Sequence, residues 1–89
     1  MEIELESIDA CYKYIYIKKI KNKTKTSVWN IHNNKSHDVL GGIAWYPPWR
    51  QYCLYAKETA VFNASCLNDI QDFIRQAMEE RKINKAFIT

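Results

Sequence analysis

Polar and apolar positions alternate between residues 11 and 62 in a way that predicts β-strands. In the segment CYKYIYIKK, every second residue from Tyr12 to Tyr16 is a tyrosine, with lysine and isoleucine between them. A period of two with β-branched and aromatic residues is typical of a strand. The same pattern predicts strands in SVWNIHN, VLGGIAWY and RQYCLYA, and a last strand fragment in VFN. The polar segments NKTKT, NKSHD and KET are the predicted turns.

The third of these strands contains a pair of glycines and is followed by a pair of prolines. The Gly-Gly pair at 41–42 predicts a bulge or a close approach of another backbone. The Pro-Pro pair at 47–48 should end the strand near Tyr46, because proline donates no ladder hydrogen bond and restricts the residue before it. Trp49 and Arg50 are then expected to open the returning strand.

Apolar residues change to a helical period after residue 63. They recur at i, i+3, i+4 and i+7, which predicts an α-helix over 64–83 with one buried stripe. Cys66 fits the same spacing and is expected to behave as a small buried hydrophobe. Asn63 or Ser65 is the expected N-cap, and Asn84 can end the helix in a left-handed turn. The predicted stripe comprises Leu67, Ile70, Phe73, Ile74, Ala77 and Met78.

These elements predict an α+β fold in a single domain of residues 1–89. An antiparallel four- to five-stranded β-meander, residues 11–62, is followed by one C-terminal α-helix, residues 64–83, packed on the sheet. One helix covers only one face of such a sheet, which leaves aromatic side chains on the other. Because a symmetric partner or a ligand would cover that face, we expect a homodimer or a higher homo-oligomer.

The net charge of +3 is unevenly distributed. Four acids and no base lie in the first nine residues, whereas residues 13–25 contain six lysines and no acid. The lysines fit a charged edge strand that discourages aggregation. They also fit a patch that attracts phosphates or nucleic acid, to which Lys18 and Lys19 would contribute. The pattern alone leaves both interpretations open.

Cysteine and histidine usage gives no indication of catalysis or metal binding. The three cysteines form no CxxC pair, and the sequence shows neither a signal peptide nor a membrane-spanning apolar stretch, so we expect reduced thiols, a cytoplasmic location and no membrane partner. His32 and His37 have no third ligand at a known metal spacing. Phosphate-binding glycine loops, nucleophile elbows and zinc-protease motifs are missing from the sequence, so we expect neither an enzyme nor a cofactor.

The segment AWYPPWRQYCLY, residues 44–55, carries five Trp or Tyr residues in twelve. The rings fit a core and interface role, with Arg50 capping the turn by binding carbonyls. They also fit a recognition corner, since aromatic faces stack on nucleobases and a guanidinium binds phosphate bidentately. Strand alternation would put Arg50 and Tyr52 on one side and Trp49 on the other, a difficulty that a site at a dimer seam would ease. The candidate ligand-binding residues are Trp45, Tyr46, Trp49, Arg50 and Tyr52, with Lys18 and Lys19.

The same region resembles a known group of proteins. A G-x-x-W-[YF]-x-x-W-R-x-Y block begins at Gly42, and a C-L-x-x-I-x-x-F helix begins at Cys66. Together they are similar to a family of small uncharacterised proteins encoded by bacteriophages and prophages. The resemblance covers residues 40–74 and is most specific at Trp-Arg-x-Tyr. It implies a phage-borne protein acting in the host bacterial cytoplasm, and it carries no catalytic residues.

Two functions of different classes follow. Small phage proteins without enzyme motifs often inhibit host machinery or host defence, some by sequestering nucleotide signals. The first hypothesis is therefore an anti-defence protein that binds a nucleotide or cyclic nucleotide through the aromatic and arginine residues. The second is a protein-interaction module that inhibits a host protein, because Trp, Tyr and Arg also dominate protein hot spots.

Overall fold

The computed structural model describes residues 9–22 and 25–88, with side chains described as far as Lys82. Five strands form one antiparallel sheet in the order β1-β2-β3-β4-β5, and a single C-terminal helix follows. The architecture confirms the predicted α+β meander. The strands are β1 Ala10–Cys11, β2 Ile15–Asn22, β3 Ser27–Asn33, β4 Val39–Tyr46 and β5 Gln51–Ala56, and the helix α1 is Ala64–Ile88.

Several element boundaries differ from the prediction. The two-residue strand β1 was not expected, and the VFN segment is not a strand. Asn63 of that segment caps α1 instead: the backbone N–H of Cys66 donates to its Oδ1 at 2.8 Å, so the chain is already entering the helix. At the other end, α1 does not leave through Asn84 but continues to Ile88.

The core lies between one face of the sheet and α1. Alternate strand residues supply the sheet side, which consists of Ile15, Ile17, Trp29, Ile31, Ile43 and Tyr52. Four helix residues meet them at spacings of four, three and four, namely Cys66, Ile70, Phe73 and Ala77. The burial of Leu67 was predicted wrongly: its side chain is 49% exposed, because the buried stripe is centred on Cys66 and leaves Leu67 on its flank.

The close approach predicted for the glycine pair is confirmed at Gly41, and a register shift lies beside the pair at Leu40. The β3–β4 register shifts between Ile31 and His32, which forms a bulge on β4. A Cβ atom on Gly41 would lie 2.6 Å from the carbonyl oxygen of Tyr55 on β5. Glycine at this position therefore lets β4 and β5 pair closely.

The meander places two of its turns at the same end of the sheet. The β2–β3 turn and the β4–β5 connection lie together there, and the β3–β4 turn lies at the opposite end. A bond from the Ser27 N–H, just after the first turn, to the Tyr52 hydroxyl of β5 spans this end at 3.2 Å. We call the end of the sheet that holds the β2–β3 turn and the β4–β5 connection the corner end.

Candidate ligand-binding site

Residues 46–50 form the corner between β4 and β5. Pro47–Trp49 make one turn of 3-10 helix, and Arg50 follows in the left-handed region with φ 53° and ψ 50°. The Arg50 N–H donates to the carbonyls of Tyr46 at 3.0 Å and Pro47 at 3.1 Å. The expectation that Trp49 and Arg50 open the returning strand is therefore wrong, because the 3-10 turn and the left-handed residue delay β5 to Gln51.

The side chains of the corner lie at the surface. Trp49 is 66% exposed, and the edge of its ring system meets Tyr46 with the ring centroids 5.0 Å apart at 78°. Arg50 is exposed, and its guanidinium makes no hydrogen bond or ion pair with the described residues. The backbone of Arg50 closes the turn, while its side chain binds none of the corner carbonyls.

Trp45 and Tyr52 belong to the helix-covered side of the sheet. They face each other across β4 and β5 in an edge contact, with centroids 5.3 Å apart at 85°. Tyr52 is only 5% exposed and also meets Trp29, which in turn meets Phe73. Tyr52 is therefore a core residue, and Trp45 and Tyr52 are separated from Trp49 and Arg50, which lie in the exposed turn outside the sheet.

Arg81 is the residue that the sequence reasoning missed. Its guanidinium carbon lies 4.0 Å from the centroid of the Trp45 ring, a cation–π arrangement. One turn earlier, the sulfur of Met78 accepts a hydrogen bond from the Tyr52 N–H at 3.4 Å, which fixes this part of α1 over β5. The sequence held one signal for this position. Arg81 follows the predicted core residue Met78 by three residues, and residues at i and i+3 share a helix face.

Lys18 and Lys19 are not brought to the corner. They alternate to opposite faces of β2, and β3 lies between them and β4. Lys19 extends over the buried Trp29 with its ammonium 5.8 Å from the ring centroid. Lys18 lies opposite Asn30 on the outer face. Of the described lysines, Lys21 and Lys25 flank the β2–β3 turn at the corner end.

The opposite end of the outer sheet face holds a tyrosine–histidine cluster. Tyr16 and His32 stack with centroids 4.8 Å apart and rings 3° from parallel. The Tyr16 hydroxyl lies 3.0 Å from Nδ1 of His37, and Nδ1–H of His32 donates to the His37 carbonyl at 3.0 Å. These contacts tie His32 at the end of β3 to His37 in the β3–β4 turn, which accounts for both histidines structurally. Within the described residues, no three His, Cys, Asp or Glu side chains are grouped to hold a metal.

One titratable group at the edge of the core is perturbed. Burial raises the pKa of the Tyr12 phenol above its ordinary 10.0, and the carboxylates of Asp72 and Asp69 raise this pKa further. The phenol is thus kept neutral by its position beside α1. It lies outside the corner and supplies no chemistry there.

A comparison with known proteins gives one relative by sequence. Over 71 residues the chain is 35% identical to the "Uncharacterized 9.3 kDa protein" of Acholeplasma phage L2, an alignment that covers 79% of this chain and 91% of the phage protein. The chain belongs to the family of that phage protein. This confirms the relationship to small phage proteins that the sequence suggested.

The other comparisons add no second family. No family model matches the chain, and no solved structure matches it. In the described part of the chain, no helix has the length and apolarity to cross a membrane.

Proposed function

We propose that the protein is a non-catalytic binding protein that holds a nucleotide or cyclic nucleotide at the corner. In this proposal it sequesters the nucleotide in the host bacterial cytoplasm as an anti-defence protein. The observation that carries the proposal is the exposed Trp49 beside Arg50, whose guanidinium has no partner among the described residues. An exposed indole offers a stacking face for a base, and an unpaired guanidinium offers a bidentate contact for a phosphate.

The construction of the corner supports a preorganised contact. Two consecutive prolines fix the entry to the turn, and the two bonds from the Arg50 N–H fix its exit. A ligand would therefore find Trp49 and Arg50 already ordered at the backbone, which reduces the entropy lost on binding.

The charge at the corner end also supports an anionic ligand. Arg50 and Arg81 lie at this end with Lys21 and Lys25, because the meander folds the lysine-rich turn beside the corner. A cluster of positive charge raises the local concentration of anions and their association rate. In this proposal Trp45 and Tyr52 do not stack on the base. They pack against each other across β4 and β5 and support the corner from the helix side.

The test is a thermal-shift screen of the full chain with mononucleotides, cyclic nucleotides and short oligonucleotides. A ligand that binds only the native state must raise the melting temperature. Arg50→Gly removes the guanidinium and suits the left-handed backbone, so it should fold well and bind weakly. Arg50→Lys keeps the charge but loses the bidentate geometry, and it should weaken binding by about 1–2 kcal/mol.

Matched controls separate the corner from general surface effects. Arg75→Lys changes another exposed arginine, and Val61→Ala removes a hydrophobic side chain that is 85% exposed, so both should bind like wild type. Trp49→Ala should lose about 1–3 kcal/mol of stacking. Raising the salt concentration should weaken the complex because phosphate contacts are screened.

A screen in which no nucleotide stabilises the wild-type chain would reject this function. If wild type instead captures one host polypeptide and Trp49→Ala abolishes the capture, the corner is a protein-binding hot spot. If Arg50→Gly unfolds the chain, Arg50 has a structural role and the recognition proposal fails.

A further inference from the structure

The Arg81 guanidinium is held in a fixed position against an aromatic ring. Its central carbon lies 4.0 Å from the Trp45 centroid, well within cation–π range. The Trp45 ring is itself held by its edge contact with buried Tyr52, whose hydroxyl accepts a hydrogen bond from Ser27. Arg81 therefore extends from α1 onto a rigid support.

Among the described residues, the Arg81 side chain has an unsatisfied hydrogen-bond donor. Its Nε is buried and has no hydrogen-bond partner in the part of the chain that the structure describes, and its guanidinium forms no ion pair with any described carboxylate. Arg75, also on α1, is exposed and bonded to Asp72. Buried polar groups in proteins nearly always have a partner, and a missing one indicates a water, an ion or a ligand.

We propose that Arg81 and Trp45 form a binding site for a phosphate-class oxyanion, separate from Arg50 on the corner. The contact with the Trp45 ring restricts the position of the guanidinium, so its N–H groups are available to an anion at a defined place on the surface of Trp45. Trp45 and Tyr46 point to opposite faces of β4. An anion at Arg81 thus approaches from the helix side, whereas Tyr46 contributes to the corner from the other side of the strand.

The phosphate class is favoured by the donor set. A planar guanidinium matches two phosphate oxygens, and the surrounding side chains of Trp45, Tyr52 and Met78 offer an anion no competing negative charge. The site can be tested separately from the proposed function, because it uses neither Trp49 nor Arg50 and Arg81 enters that function only through the positive charge of the corner end.

The experiment is a titration of the ¹⁵N-labelled full chain with inorganic pyrophosphate, observed by two-dimensional NMR at constant ionic strength set with sodium chloride. The Nε–H signal of Arg81 and the indole N–H signal of Trp45 report on the site directly, and Arg81→Lys and Trp45→Phe assign them. Wild type should show saturable shifts of both signals. Arg81→Lys, with a folded spectrum, should bind pyrophosphate about tenfold more weakly.

Two further variants make the assignment specific. Arg75→Lys should titrate like wild type, since that arginine already has a carboxylate partner. Arg50→Gly should leave the Trp45 indole response unchanged even if it abolishes nucleotide binding at the corner, so the two proposals can fail independently.

The proposal is overturned if the two signals do not move in a saturable way up to about 10 mM pyrophosphate, a range that includes millimolar binding. It is also overturned if folded Arg81→Lys binds as tightly as wild type. Acetate as effective as pyrophosphate would reject the phosphate class.

Discussion

Gly41→Ala tests how closely β4 and β5 must pair, and Gly42→Ala is its matched control. A Cβ at position 41 would lie 2.6 Å from the Tyr55 carbonyl oxygen and 3.1 Å from the Ala56 Cα, both backbone atoms of the neighbouring strand. Ordinary contact begins at 3.4 Å, so the strands would have to separate by about 0.8 Å. Side-chain rotation cannot relieve a clash with backbone.

The magnitude follows from two opposing terms. Neither glycine has a positive φ, so alanine is conformationally allowed and would by itself stabilise by about 0.4–1 kcal/mol through the unfolded state. Overpacking of this kind costs about 1–3 kcal/mol and occasionally more. The difference between the two terms makes Gly41→Ala destabilising by up to about 2.5 kcal/mol, which lowers the melting temperature of so small a domain by up to roughly 10–20 °C.

At Gly42 the added Cβ meets the Trp29 carbonyl oxygen at 3.1 Å, so the neighbour must move by only a few tenths of an ångström. The two terms nearly cancel, and Gly42→Ala should stay within about 1 kcal/mol of wild type. Chemical denaturation followed by circular dichroism measures both variants. Equal stability of the two variants would refute the argument that close β4–β5 pairing requires glycine at position 41.

Three further predictions concern the core, the pH dependence and the assembly. Phe73→Ala should lower the free energy of unfolding by about 3–5 kcal/mol, because Phe73 is 9% exposed and its ring meets Trp29. A free energy of unfolding within about 0.5 kcal/mol of wild type would contradict this. The pKa of Tyr12 is raised above 10.0, its value in the unfolded chain, so the contribution of Tyr12 to the free energy of unfolding is fully present below pH 10.0 and is lost as the pH rises toward the folded pKa. In alkaline denaturation, Tyr12→Phe should therefore lose less stability than wild type above pH 10.0. Light scattering should give a homodimer or higher homo-oligomer, and a mass of 10.6 kDa at micromolar concentrations and above would count against it.

The strands and helix were predictable because burial on one side imposes a simple period. Successive side chains of a strand point in turn toward α1 and toward the outer face of the sheet. Ile15 and Ile17 could therefore be distinguished from Tyr16 by spacing alone. The two residues of β1 are too few to show a period. The burial of Leu67 was misjudged for a related reason: it fits the helical repeat, but its neighbour Cys66 occupies the centre of the stripe.

The candidate site was predictable as a segment but not as a geometry. The aromatic residues and Arg50 were found by composition, whereas their division between the core and the exposed turn depends on where the 3-10 turn ends and β5 begins. The prediction assumed that strand side chains alternate between the two faces through Arg50. The left-handed backbone of Arg50 interrupts that alternation. The spacing from Met78 indicates the helix face on which Arg81 lies, but its contact with Trp45 is set by the packing of α1 on the sheet and leaves no signal in the local pattern.

The left-handed conformation of Arg50 has a consequence for mutation and selection. An arginine with φ 53° carries a backbone cost that glycine would not, and every arginine codon is one nucleotide change from a glycine codon. In a library selected only for a folded chain, position 50 should therefore drift to glycine. Selection for the protein's biological activity should keep arginine instead, so the residue recovered at this one codon separates the demands of folding from those of function.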